Sequence, residues 1–120
     1  MTALTIPDPP PTLSPGLVPL YDEGRAVADA SPAAACALVR LLLRAVLVER
    51  GRPGRDLRRD LDATVGRVPA VLRALDAIGL SEEHGRHPGS IDLAQGHADA
   101  QNLFMFVHLI TGHLDGDADG

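Results

Sequence analysis

One long apolar stretch, residues 31–50 (SPAAACALVRLLLRAVLVER), constrains the fold of this chain more than any other part of it. It predicts a single helix, because Ser31 is a good N-cap, Pro32 suits the first helical position, and a glycine and a proline follow its end. Arg40 and Arg44 are the only charges in its apolar part. Two central arginines would be costly in a lipid core, so we expect no membrane span. A helix that is apolar on most sides must be surrounded by other helices, which predicts the central helix of a bundle.

Composition bounds the size and the class of the protein. A chain of 120 residues, of which 45% are hydrophobic, suffices for one domain with an aliphatic core, and this composition suits helices better than sheets. The net charge of −5 disfavours nonspecific binding to nucleic acid, although a local patch could still bind it. Cys36 is the only cysteine, so no disulfide within the chain is expected. The N-terminus shows no basic region followed by an apolar run, so we expect a cytoplasmic protein without a secretory signal.

The chain divides into an arm, a helical domain and a tail. Residues 1–16 are rich in proline and predict an extended or disordered arm, whose PxxP spacing is better explained as a tether than as a ligand. Residues 17–114 carry helical periodicity. Residues 115–120 (DGDADG) predict an acidic disordered tail, since they supply only half of an EF-hand calcium loop. Besides the central helix, we predict helices at 19–29, at 55–65, from 69 until Gly79, and from between 92 and 97 to 114, with a mobile loop at 80–91.

The motifs follow a recognisable order. A helix with Tyr21 and Glu23 leads into an alanine-rich helix with a central Arg40. A small helix pair then ends in Ile-Gly at 78–79, and a His-Pro-Gly turn at 87–89 precedes the last helix. This order resembles the bacterial family called domain of unknown function 4145, a branch of the HEPN superfamily. The resemblance implies an all-α, HEPN-like bundle of four to five helices that forms a homodimer, in a defence or nucleic-acid-handling system.

This chain departs from the family at residues that belong to the catalytic motif of the superfamily or lie near it. Catalytic HEPN domains resemble metal-independent ribonucleases that use Arg-x4-6-His at a dimer interface, with the histidine as acid or base and the arginine stabilising phosphate charge. No arginine precedes a histidine at that spacing in this chain. This chain has Asp76 where the family has an arginine and Leu80 where the family has an asparagine. His84, and not His87 of the His-Pro-Gly turn, lies at the distance from Gly79 that is usual in the family for the histidine of that turn. We therefore expect a degenerate, noncatalytic member.

His84, Arg86 and His87 form the one local cluster of titratable and anion-binding groups. His84 and His87 are candidate catalytic residues, and Arg86 is a candidate for anion or RNA contact. The alternative, which we favour, is a solvated loop with a His-Pro turn. A metal site that adds His97 lacks the cysteine ligands typical of zinc, so we expect neither a metal nor a cofactor.

Two further sets of arginines are candidates for anion or RNA contact. Arg40 and Arg44 lie one turn apart on the central helix and could bind an anion or form a charged dimer seam. We favour the simpler interpretation that both face solvent or pair with carboxylates such as Asp22 or Glu23. Five arginines between residues 50 and 59 could contact phosphates, but aspartates interleave with them and no aromatic residue is near to stack a base. A salt-bridged, solvated helix face explains them better.

These observations favour a noncatalytic HEPN-like interaction module with an unidentified protein partner and little support for nucleic acid. The alternative is a divergent ribonuclease that combines His84 or His87 with an arginine brought close by the fold or by a second subunit. The missing Arg-to-His spacing weighs against this alternative.

Overall fold

The computed structural model describes residues 6–65 and 68–119, with side chains through Leu114. Within these ranges the chain is an all-α bundle, as the sequence predicts. The five predicted helices are present, and a short additional helix lies in the segment predicted to be a mobile loop. A 3-10 turn at Pro15–Leu17 precedes six α-helices in these ranges: α1 (Val18–Val27), α2 (Pro32–Glu49), α3 (Leu57–Val65), α4 (Pro69–Ile78), α5 (Glu82–Arg86) and α6 (His97–Asp119).

Helix α2 is the centre of the bundle, for the local reasons read from its sequence. The Ser31 hydroxyl accepts the Ala34 N–H at 3.3 Å, and Pro32 occupies the first turn. The chain leaves the helix through Gly51, whose φ of 91° favours glycine. Helices α1, α3 and α6 all pack on α2. The fully buried leucines of α2 that fill this contact are Leu42, Leu43 and Leu47.

Helix α6 closes the other side of the core. It packs on α2 and α4, and its buried side includes Leu103, Phe104 and Ile110. Gly24 of α1 lies against the Phe104 ring, where an added Cβ would come within 3.1 Å of Cζ. Glycine therefore lets α1 approach closely at this point. Among the described residues, no helix combines the length and the apolar content needed to cross a bilayer.

The described part of the arm, residues 6–16, packs on the bundle. Ile6 and Leu13 are only 8% and 5% exposed, and the Tyr21 hydroxyl donates to the Pro7 carbonyl at 2.8 Å. The prediction of disorder is wrong for this part, because aliphatic side chains on a proline-stiffened segment gain contact at a low entropy cost. Residues 1–5 lie outside the described residues.

The C-terminal tail differs from the prediction, and the predicted end of the third helix cannot be compared with the structure. Residues 115–119 continue α6 instead of forming the predicted disordered tail. Extending a helix that is already nucleated fixes one residue for each added hydrogen bond, which is far easier than starting one. Gly66, the predicted end of the third helix, lies outside the described residues, as does Gly120.

Candidate functional site

Arg40 points from the middle of α2 into the protein and is fully buried, with 0% of its surface exposed. Its Nε donates to the Pro88 carbonyl at 2.9 Å, Nη2 donates to the Ser90 carbonyl, and Nη1 donates to the Gln95 side-chain oxygen. Burial lowers the pKa of the guanidinium, yet arginine keeps its charge in proteins. The prediction that Arg40 faces solvent or pairs with a carboxylate is wrong, because oxygens of one loop take up its donors. Its burial also leaves no surface for contact with an RNA.

His84 is buried as well, at 5% exposure, in the short helix α5. The Ser81 hydroxyl accepts the His84 backbone N–H at 3.0 Å, and the Ser81 backbone N–H donates to His84 Nδ1 at 3.2 Å. This reciprocal pair is a capping box, with histidine in the place usual for glutamate. Because Nδ1 accepts, the ring proton is assigned to Nε2, which donates to Asp92 Oδ2 at 3.0 Å. Both ring nitrogens of this catalytic candidate are thus committed to structural bonds.

Arg40 and His84 hold the same segment, Pro88–Gln95, which we call the 88–95 loop. Asp92 also accepts the Ala94 N–H through Oδ1 at 3.0 Å, which closes a turn within the loop. Gly89 packs on the Leu41 side chain, since an added Cβ would lie 3.3 Å from its methyl carbons. A buried cation, a buried imidazole and its own turn therefore hold the loop in place, and residues 82–86 of the segment predicted to be a loop form helix α5.

The 88–95 loop presents two aliphatic side chains to solvent. Ile91 is 60% exposed and Leu93 is 87% exposed. They alternate with Ser90 and Asp92, whose oxygens accept the bonds from Arg40 and His84. Inward polar groups anchor the loop while the apolar groups between them point outward. Because both side chains project from one loop that buried groups hold in place, they are the candidate contact surface of this part of the protein.

The other predicted site residues lie apart from these bonds. The His87 side chain is exposed, and its backbone N–H caps α5. Arg86 is exposed and its Nη1 lies 3.8 Å from Glu82 Oε2. Arg44 is half-buried on α2. The fold therefore unites Arg40 and His84 around one loop, whereas the side chains of His87, Arg86 and Arg44 take no part in that network; His87 meets the loop only through its carbonyl, which accepts the Ser90 N–H at 3.0 Å.

The arginine-rich segment at residues 50–59 is largely solvent-exposed, as predicted, but it does not form the predicted salt bridges. Arg50 donates to the Leu114 carbonyl at 3.3 Å, and Arg52 donates to the Ala63 carbonyl near the end of α3 at 3.4 Å. Among the described side chains, none of the five arginines forms an ion pair. The nearby Asp60 instead accepts the Gly54 N–H at 2.9 Å, so this carboxylate supports the backbone.

A groove of about 570 Å³ lies between α3, α4 and α5. Leu72, Leu75 and Leu80 line it, together with Arg58 and Arg59 of α3. The remaining charged lining residues are Asp56, Asp62, Asp76, Glu82 and Arg86. Charges of both signs on one groove cancel much of the field, so the groove does not select an anionic ligand.

Sequence reasoning missed the 88–95 loop as a unit. The sequence pattern places the end of the loop at Ile91 and the earliest start of the last helix at Asp92, which divides the segment at its tip, whereas α6 begins at His97. The available signal is an Ile-x-Leu pair inside a run of small and polar residues, since the alternation is too short to predict a strand and the two apolar side chains do not belong to a helical face.

Replacing Asp92 with asparagine should reveal how this carboxylate contributes to acid stability. The Ala94 N–H and the His84 ring lower the pKa of Asp92 below its usual 3.8. A lowered pKa means that the ionised group stabilises the fold above pH 3.8 and that this stabilisation is lost as pH falls through the lowered pKa. Urea unfolding of both chains between pH 6 and pH 2.5 should therefore show a stability difference that shrinks on acidification. A difference independent of pH would contradict this role.

Two of the candidate residues, Arg40 and His84, bond to the 88–95 loop. The geometry of this loop is therefore the main evidence about function. Comparisons with protein-family models, with curated proteins and with solved structures gave no match.

Proposed function

We propose that this protein is a noncatalytic helical interaction module that binds a protein partner through the 88–95 loop. The observation that carries the proposal is the joint use of Arg40 and His84 to hold a loop whose exposed side chains are Ile91 and Leu93. A buried charge and a buried imidazole are costly to place in a core. Their use on one surface loop is best explained by the need to present that loop in one conformation.

The fixed conformation of the 88–95 loop lowers the entropy cost of binding, which matters for a site with only two apolar side chains. Ordering a loop on binding costs roughly 1–2 kcal/mol for each residue whose backbone becomes fixed. The 88–95 loop pays this cost during folding, so burial of its anchors counts toward affinity. Full burial of an exposed aliphatic side chain contributes about 1.5–3 kcal/mol, and Ile91, at 60% exposure, has less surface left to bury than Leu93, at 87%. The expected partner surface is an apolar pocket that accepts two aliphatic groups.

The chemistry of the loop favours a protein over a nucleic acid as partner. The anchors are aliphatic, and the loop carries no aromatic side chain on which a base could stack. Its one carboxylate, Asp92, would repel phosphate, and the chain carries a net charge of −5.

The ribonuclease alternative receives less support from the geometry. Proton transfer needs a ring nitrogen that is free to exchange its proton with substrate, and both nitrogens of His84 are engaged. Stabilising a phosphate needs an accessible guanidinium, and Arg40 is enclosed. His87 remains exposed, so the assay below includes it.

We expect the purified protein not to cleave single-stranded RNA in the absence of added metal. A gel assay should be run on the wild-type chain beside His84→Ala and His87→Ala, with matched protein concentrations. Cleavage by the wild type that disappears in either variant would overturn the noncatalytic proposal and favour the ribonuclease. Cleavage that persists equally in both variants would point to a contaminating nuclease.

The wider setting of the module comes from the family resemblance alone. On that basis we propose a HEPN-like homodimer in the bacterial cytoplasm, within a defence or nucleic-acid-handling system. Sedimentation equilibrium of the full chain tests whether it forms a dimer. Repeating the measurement on a variant of the 88–95 loop shows whether self-association uses that loop.

The direct test compares baits that differ only in their exposed apolar residues. Ile91→Ser with Leu93→Ser removes both anchors, and Met105→Ser with Leu109→Ser is the matched control on α6, where these two side chains are 49% and 39% exposed. A partner captured from the native host by the wild type should be retained by the control and lost by the loop variant. With the purified partner, the loop variant should raise Kd at least 10-fold. Equal affinity for the two variants would contradict the proposal.

A further inference from the structure

Residues 6–13, here called the strap, lie on the bundle where α1 and α6 meet. The strap is held at both ends by buried aliphatic side chains, since Ile6 is 8% and Leu13 is 5% exposed. Between them, the Tyr21 hydroxyl of α1 donates to the strap backbone at the Pro7 carbonyl, and the His108 ring of α6 lies against that hydroxyl. The arrangement is that of an extended peptide bound to the surface of a helical domain.

Tyr21 and His108 form a preorganised hydrogen-bond relay below the strap. The Tyr21 hydroxyl donates to the Pro7 carbonyl at 2.8 Å, so its oxygen can accept from His108 Nε2 at 3.0 Å. Burial raises the pKa of Tyr21 to about 12, which keeps the hydroxyl protonated, and burial lowers the pKa of His108. The Tyr21 ring also packs edge-on against Phe104, with centroids 5.2 Å apart at 82°. The hydroxyl is thus aimed by core residues that are independent of the strap.

The strap itself has the composition of a linear ligand. Its prolines restrict the backbone before binding and remove N–H groups that would otherwise need partners. Asp8 adds a charge contact, since its Oδ1 lies 2.9 Å from Arg25 Nη2. The bound features are an aliphatic side chain, the carbonyl of the following proline, and a carboxylate directly after it. Proline-rich segments are common peptide ligands because their extended backbone is already formed before binding.

We propose that the surface formed by Tyr21, Arg25 and His108 is a docking site for extended proline-rich acidic segments, occupied in the free protein by its own strap. A partner segment with the order aliphatic, proline, acidic, proline would replace the strap and make the same contacts. The polar contacts of the strap to α1 are one hydrogen bond and one ion pair, and the rest of its hold on the bundle is the apolar contact of Ile6 and Leu13, which a partner segment of the same pattern would reproduce. The proposal is independent of the 88–95 loop.

The test uses the full-length chain and a fluorescein-labelled peptide of residues 6–14, IPDPPPTLS, with an acetylated N-terminus. A loosened variant, Ile6→Ser with Asp8→Ala, weakens the strap without touching the docking surface. Fluorescence anisotropy should show at least 10-fold tighter binding of the peptide to the loosened variant than to the wild type. Adding Tyr21→Phe to the loosened variant should remove most of this gain, and a peptide with lysine in place of its aspartate should bind more weakly.

Each remaining outcome decides the proposal. Equal binding of the peptide to the wild-type and loosened chains would overturn it, as would a gain that survives Tyr21→Phe. Loss of the helical circular dichroism signal in the loosened variant would also overturn it, because the strap would then be an integral part of the core. A wild-type dimer that the free peptide dissociates would support the docking site and identify the strap of a second copy as its occupant.

Discussion

Replacing Arg40 with methionine is expected to lower the free energy of unfolding by about 2–4 kcal/mol and to release the 88–95 loop. Methionine fills much of the same space but donates no hydrogen bond. The Pro88 and Ser90 carbonyls then lose their shared donor, and an orphaned buried acceptor costs about 1–3 kcal/mol. Removing the charge recovers part of its desolvation cost, which keeps the net loss below the simple sum. Urea unfolding measures the loss, and hydrogen exchange should show faster exchange in the loop.

The matched control for this variant is Arg44→Met, one turn further along the same helix. Arg44 is half-buried and takes no part in the hydrogen bonds that hold the loop, so we expect a change of less than about 1 kcal/mol. Arg40→Lys tests the geometry separately, because a single ammonium cannot reproduce a planar fork that reaches three oxygens. Equal stability losses for Arg40→Met and Arg44→Met would show that the loop bonds contribute little.

Replacing Leu42 with aspartate is expected to unfold the protein at room temperature. Leu42 is 0% exposed at the centre of α2, where the packing of α1, α3 and α6 converges. The substitution removes a buried leucine and places an unpaired carboxylate in an aliphatic core, which together cost several kcal/mol. This loss is comparable with the total stability of a small domain, about 5–15 kcal/mol. Far-ultraviolet circular dichroism and a thermal scan measure the outcome.

Val48→Asp provides the matched control on the same helix, because Val48 is 48% exposed. A carboxylate near a helix C-terminus is unfavourable by only about 0.3–1 kcal/mol, so this variant should remain folded. A folded Leu42→Asp chain with an unchanged midpoint would mean that α2 is not the central element of the core.

Helix positions followed closely from sequence because local signals determine them. Ser31 and Pro32 begin α2 as predicted. Gly79 ends α4 with a φ of 58°, a conformation that glycine adopts without a steric penalty. The short helix α5 was missed because its capping box uses His84 where glutamate is usual.

The sequence alone determined an all-α fold, a central apolar helix and most helix boundaries, since these depend on side-chain periodicity and on neighbours within four residues. It also identified Arg40 and His84 as unusual, but it did not indicate their partners. Only the tertiary structure decided that Arg40 binds carbonyls 48 and 50 residues away and that His84 meets the same loop. It likewise decided that the arm packs on Tyr21, 14 residues beyond Pro7. Such pairings depend on how helices cross in the compact state, because a buried polar group bonds to whatever oxygen or nitrogen the packing brings within reach.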